Sequence, residues 1–170
     1  MPINSCVRLA ILALLFAPLR PQVSLNAVPV ASQESHLPVR YVFDGDTISV
    51  GARVRVRLLG IDTPELGAGF DTPAPFAIEA RTHLRTLVEN RQVRLETDRE
   101  ETDRYGRRLA YVFRDDGLFV NEEMLRAGFA RVTARLPLRR LDELRRAELV
   151  AQQARRGLWG GHPSIPSRGA

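Results

Sequence analysis

The chain has 170 residues, 44% of them hydrophobic, which is enough for one domain with a real core and short for two. All 25 basic residues are arginine, set against 20 acids for a net charge of +5, a balance that suits a polyanionic partner and offers two-pronged grips on phosphate rather than point charges. A single cysteine, Cys6, excludes an intramolecular disulfide, and His36, His83 and His162 stand far apart with no acid or cysteine at ligand spacing, which argues against zinc or a histidine-based mechanism.

In chain order, "RLAILALLFA" (Arg8 to Ala17) is an apolar run behind one cation. It fits the core of a signal peptide and is too short to span a bilayer comfortably. Residues 1–31 are therefore expected to be a signal peptide or an N-terminal membrane anchor, and the protein to be exported, periplasmic or secreted, or membrane-tethered if that segment is uncleaved. Its loss would remove Arg8 and Arg20 and lower the net charge to +3, so any anion site in the mature domain must be local.

The elements that follow are short. "VRYVF" (39–43) and "TISV" (47–50) read as strands joined by "DGD". "RVRVRLLGI" (53–61) reads as a half-buried strand, with Val54, Val56 and Leu58 on one side and Arg53, Arg55 and Arg57 on the other. A helix is expected over 76–90, with Pro75 near its start and Ala77, Ala80, Leu84, Leu87 and Val88 at helical spacing. "QVRLET" and "RRLAYVF" are two more strands around the charged loop "DREETDRYG". A short helix over "VNEEMLRAG" should stop at Gly128. The last helix, about 138–156, carries Leu141, Leu144, Ala147, Leu149 and Val150 before a Gly/Pro/Ser-rich tail over 161–170. Five strands with one helix between the third and fourth, and helices after, predict an α+β domain over 37–160: a small Greek-key barrel capped by helices.

The carboxylates cluster at strand ends. In "DGDT" (44–47) Asp44 and Asp46 are two apart, on one side of an extended backbone, and Gly45 allows a tight bend. Asp62 closes the third strand. Two strand-end carboxylates with a carbonyl nearby make a hard, all-oxygen site suited to Ca²⁺ or another oxygen-loving divalent ion. Taken singly, "DG" and "DTPE" (62–65) also read as ordinary turn chemistry. Trp159 is expected to close the hydrophobic base of the barrel, Asp103 to brace the arginine loop, and the arginine-rich last helix to be a solvated face.

The combination is more specific than its parts. "DGDT" at 44–47, "RLLGIDTPE" at 57–65 and "DRYGRRLAYV" at 103–112, in that order and spacing, resemble the staphylococcal nuclease (thermonuclease) family over about Leu37 to Trp159. The resemblance implies a five-stranded OB-fold barrel with three α-helices. It implies a Ca²⁺ site formed by Asp46, Asp62 and the Thr63 carbonyl, with Glu65 as general base and Arg57 and Arg107 clamping the scissile phosphate. Arg104 and Tyr105 would hold a neighbouring phosphate. The activity implied is calcium-dependent endonucleolytic cleavage of DNA and RNA to 3′-phosphate ends by a monomer. The alternative is a catalytically silent nuclease-like module that binds nucleic acid or protein.

Two features depart from the pattern. Ala134 and Leu136 stand where the best-known member of the family has nucleotide-packing tyrosines, and "LGAGFDTPAP" lacks its lysines. Arg57 and Asp62, five apart, would face opposite ways on a regular strand, which makes Gly60 the candidate for a bend or bulge that brings them together.

Overall fold

A computed structural model describes residues 35–67, 71–133 and 137–161 of the chain. Three strands open the domain as a meander: β1 (Leu37–Val42), β2 (Thr47–Val50) and β3 (Val54–Leu58). A two-residue strand β4 (Ile61–Asp62) and helix α1 (Ala77–Val88) follow, then β5 (Gln92–Glu96), β6 (Arg108–Arg114) and helix α2 (Val120–Arg126). A second two-residue strand, β7 (Arg131–Val132), and helix α3 (Leu141–Gln153) complete the set.

The five longer strands close into a barrel in the order β1-β2-β3-β6-β5. Every pairing is antiparallel except β3 with β6, where Val56, Arg57 and Leu58 run parallel to Arg108, Leu109 and Ala110. A parallel pair cannot be joined by a tight turn, so β4, α1, β5 and the loop before β6 form the crossover. Closure leaves no free sheet edge in the barrel. With three helices packed on it, this is the α+β OB-type barrel that the strand order predicts.

One core serves barrel and helices. Ile48, Val50, Val56, Leu58 and Val93 from the strands meet Ala80, Leu84 and Val88 of α1, Met124 and Leu125 of α2, and Leu144 and Ala147 of α3, all essentially closed to solvent. α3 buries the stripe Leu144, Ala147, Ala151 at the three- and four-residue spacing of one helix face. Leu149 and Val150, counted in the apolar pattern, lie outside that stripe and are exposed. Val54, also expected inside, is 44% exposed because β3 gains its β6 neighbour only from Val56 onward.

Asn121 fastens α2 to the barrel. Fully buried, it accepts the Val112 amide through Oδ1 at 2.9 Å and donates Nδ2 to the Leu59 carbonyl at 2.9 Å, so one side chain satisfies groups on β6 and just beyond β3. Asn121→Ala strands both backbone groups away from water, and each buried, unpaired group costs about 1–3 kcal/mol. We expect a loss of about 3 kcal/mol by urea denaturation; a loss below about 1 kcal/mol would mean that water replaces the side chain.

Trp159 does not close the barrel. It lies in a short 3₁₀ turn (Gly157–Trp159), only half-buried, with the Arg131 guanidinium carbon 4.7 Å above its ring. It packs at the periphery, beside β7, rather than in the core.

Candidate active site

The apolar strand that ends in charges is two strands. β3 stops at Leu58, the chain turns through Leu59 and Gly60, and it resumes as β4, which pairs with β7 instead of the barrel. Gly60 has φ 81°, in the left-handed region that favours glycine, and a Cβ there would lie 2.6 Å from Leu144 Cδ1 of α3. The bend is thus set by backbone freedom and by contact with a helix. It settles the spacing problem: Arg57 Nη2 reaches Asp62 Oδ1 at 2.6 Å although the residues are five apart.

Asp46 meets the same guanidinium from the other side. Arg57 Nη1 forms an ion pair with Asp46 Oδ2, without hydrogen-bond geometry. That oxygen also accepts the Thr63 amide and the Thr63 hydroxyl, each at 3.1 Å, and Asp46 Oδ1 accepts the Thr47 hydroxyl at 3.0 Å. Close approach of the "DGDT" turn depends on Gly45, where a Cβ would sit 2.7 Å from Thr63 Oγ1 and 2.8 Å from Ala80 Cβ. Helix α1 therefore backs the site. Asp44 does not join the carboxylates; its Oδ1 accepts the Asp46 amide at 3.0 Å, a local turn bond.

The electrostatics are unbalanced. Burial pushes the Asp46 carboxyl up to about 7, against the attraction of Arg57 and with a further push from Asp44. Asp46 and Asp62 share one guanidinium, Arg57, with the Asp44 charge close by, while Arg107 is paired to Asp103.

Arg107 is anchored in three places. Its amide donates to Asp103 Oδ1 at 2.9 Å, its Nε to Asp103 Oδ2 at 2.8 Å, and its Nη1 to the Thr47 hydroxyl at 3.3 Å. Asp103 also accepts the Tyr105 amide at 2.9 Å, and these donors hold its carboxyl below the ordinary value despite burial. The bracing expected of Asp103 is what the structure contains. Thr47 is a residue the sequence did not single out: it links Asp46 to Arg107, and only its place beside Asp46 pointed to it.

Arg57, Asp62, Arg104, Tyr105 and Arg107 line one open cleft of about 590 Å³, with Asp46 buried behind Arg57. Arg104 Nη2 donates to the Tyr105 hydroxyl at 2.6 Å, and Tyr105 is 68% exposed. Glu65 does not line this cleft; it lies three residues after Asp62 on an exposed segment, tied by its carbonyl to the Ala74 amide at 2.9 Å. Its carboxylate has no hydrogen-bond or ion-pair partner among the described residues. Ala134 and Leu136 lie outside the described residues.

The family model "Staphylococcal nuclease homologue" matches residues 55–161. The chain belongs to the staphylococcal nuclease family. Among its relatives, the thermonuclease of Staphylococcus hyicus is 35% identical over 133 residues, covering 76% of this chain and 78% of that protein. The thermonuclease of Staphylococcus intermedius is 38% identical over 130 residues, covering 74% and 76%. Endonuclease YncB of Bacillus subtilis (strain 168) is 34% identical over 132 residues, covering 74% of this chain and 62% of that protein. The matched segment of this nuclease-family chain begins at Arg55, after the "DGDT" turn, yet β2 and Asp46 are bound into the same barrel and the same site.

Proposed function

We propose that this chain is a calcium-dependent endonuclease that hydrolyses phosphodiester bonds of DNA and RNA by in-line attack of water, releasing 3′-phosphate ends. The observation that carries this reading is the grouping of Arg57 and Arg107 with the Asp46–Asp62 carboxylate pair along one cleft. Its relatives' names, thermonuclease and endonuclease, support it.

The donor set fits a hard divalent cation. Asp46, Asp62 and the Thr63 carbonyl supply oxygen only, and the local excess of carboxylate over arginine calls for positive charge. Among the described residues no three acid, histidine or cysteine side chains are placed to hold a metal ion together, so water and substrate oxygens would have to complete the shell. Once bound, the cation would act as a Lewis acid toward the phosphoryl oxygens.

The chain's own residues do the rest. Arg107, fixed on Asp103 and Thr47, keeps Nη2 without a partner among the described residues and so presents a preorganised donor to the charge that builds on phosphorus-bound oxygen. Arg57 supplies the second fork. Its bond to Asp62, a 59% exposed carboxylate, is its weaker tie and the one phosphate can replace. Glu65, unpaired and solvated, orients or deprotonates the attacking water. Arg104 and Tyr105 hold the next phosphate.

The deciding experiment is digestion of single- and double-stranded DNA and of RNA with Ca²⁺, Mg²⁺ or chelator. Cleavage with Ca²⁺ that chelator abolishes is expected; no cleavage in any Ca²⁺ condition would leave the silent binding module. Glu65→Gln removes the proton acceptor and keeps the shape, so its deficit should shrink as pH rises and hydroxide replaces activated water. A deficit constant across pH would remove Glu65 as the base. Export is proposed from residues 8–17, outside the described residues; sequencing the N-terminus of protein recovered outside the cytoplasm would test it.

A further inference from the structure

The cleft does not end at Arg57. β3 turns Arg55 and Arg57 to one side, the register of the meander sets them in rows across three strands, and Arg53 precedes them in the turn between β2 and β3. Phe43, whose amide bonds the Thr47 carbonyl at 2.9 Å, lies in the row of Thr47 and Arg57; the next row is Tyr41, Ser49 and Arg55. Beyond it Arg40, at the irregularity in β1, donates Nε to the Gly51 carbonyl at 3.3 Å near Arg53. Ser49 of β2, with Gly51 and Ala52 of the turn that follows it, makes the floor of a groove of about 830 Å³, with aromatic rings on one wall and arginines on both.

We propose that this outer face of β1, β2 and β3 is a second binding tract for single-stranded polynucleotide, continuous with the cleft through the Thr47–Arg57 row. The proposal rests on the nuclease reading above.

Two observations favour that occupant. The tract carries Arg40, Arg53 and Arg55, none of which has a carboxylate partner among the described residues, whereas Arg57 and Arg107 in the cleft are both ion-paired. Unpaired guanidinium groups in a row complement a phosphate backbone. The aromatic wall is also built for stacking. Arg55 lies 4.3 Å over Phe43, Phe43 meets Tyr41 edge to face at 5.0 Å, and Arg81 Nη2 holds the Tyr41 hydroxyl at 3.0 Å, while Tyr41 remains 52% exposed. A fixed, exposed ring flanked by arginine offers a platform to an unpaired base, which a duplex keeps inside its own stack. OB-type barrels accommodate about 4–16 nucleotides, more than one cleft around a single scissile phosphate needs.

Arg53 gives an unusually clean test. It sits at φ 71°, where glycine is favoured, so Arg53→Gly removes the guanidinium while relaxing the backbone and should not lower the thermal midpoint. Steady-state cleavage with Ca²⁺ would compare a 20-nucleotide single strand, a 20-base-pair duplex and a trinucleotide that the cleft alone accommodates. For Tyr41→Ser the ratio of single-strand to trinucleotide kcat/KM should fall on the order of tenfold or more. For the pair Arg53→Gly, Arg55→Gln the salt dependence of single-strand KM should flatten by about 1.4 in log–log slope, the loss of two phosphate contacts. A fall that is equal on the trinucleotide would reveal a structural effect and overturn the tract; an equal fall on the duplex would overturn its single-strand assignment. Unchanged ratios with active wild-type protein would sink the tract alone, whereas wild-type protein that cuts no substrate would sink the nuclease reading and the tract with it.

Discussion

Arg57→Lys and Arg107→Lys should each lower kcat on the order of 10²- to 10³-fold with a smaller change in KM, as expected when one preorganised donor is lost at a site where charge accumulates. Lysine keeps the charge but not the fork. Arg107 spends its amide and Nε on Asp103 and its Nη1 on Thr47, which fixes the remaining nitrogen before substrate arrives. A flexible ammonium would have to abandon either the anchor or the phosphate. For Arg57 the loss is compounded, because one planar group spans Asp46 and Asp62 and no lysine can bond both with the same geometry. Single-turnover and steady-state rates on one oligonucleotide would separate kcat from KM. Near-normal kcat in Arg107→Lys, with activity lost in Arg104→Lys, would move the phosphate clamp to the other arginine of that loop.

The barrel was legible because its strands announce themselves one at a time. "TISV" and "QVRLE" appear where their composition and flanking turns place them, and Gly128, at φ 80°, closes α2 as its position suggested. What the sequence could not supply was partnership at a distance. Strand β7 has two residues, too few for any periodicity, and exists because Arg131 and Val132 find Asp62 and Ile61 across space. The exposed side of α3 was misread for a related reason: Leu149 and Val150 are apolar, but the neighbour that decides burial lies on the Leu144–Ala147–Ala151 face. Trp159 fails the same way, since a lone indole says nothing of whether a core or an arginine will cover it. At the site, motifs at known spacing brought Asp46, Arg57, Asp62 and Arg107 to one place, and Gly60 explained how. Thr47, the link between the two halves, carries no signal of its own, because a threonine at a strand start is ordinary until Arg107 arrives from sixty residues away.

Asp46→Asn should separate function from stability, removing nearly all Ca²⁺-stimulated cleavage while strengthening the chelated protein at neutral and alkaline pH. A hard cation loses a charged ligand, which accounts for the first half. The second half follows from burial. Asp46 is 4% exposed, and the cost of keeping its charge away from water outweighs the attraction of Arg57, so its carboxyl is pushed from 3.8 up to about 7 in the folded chain. Between those two values the folded state holds a proton that the unfolded state has released, and stability must fall as pH rises through that interval and level off above it. Asparagine carries no such charge, so the gap between variant and wild type should open from about pH 4 and widen no further beyond about pH 7, reaching at most about 4 kcal/mol. Urea midpoints in chelator at pH 4.5 and pH 8 measure that gap directly. If wild type instead gains on the variant as pH rises, Arg57 dominates Asp46, the carboxylate is a stabilising ion-pair partner, and the site carries no excess of negative charge for a cation to neutralise.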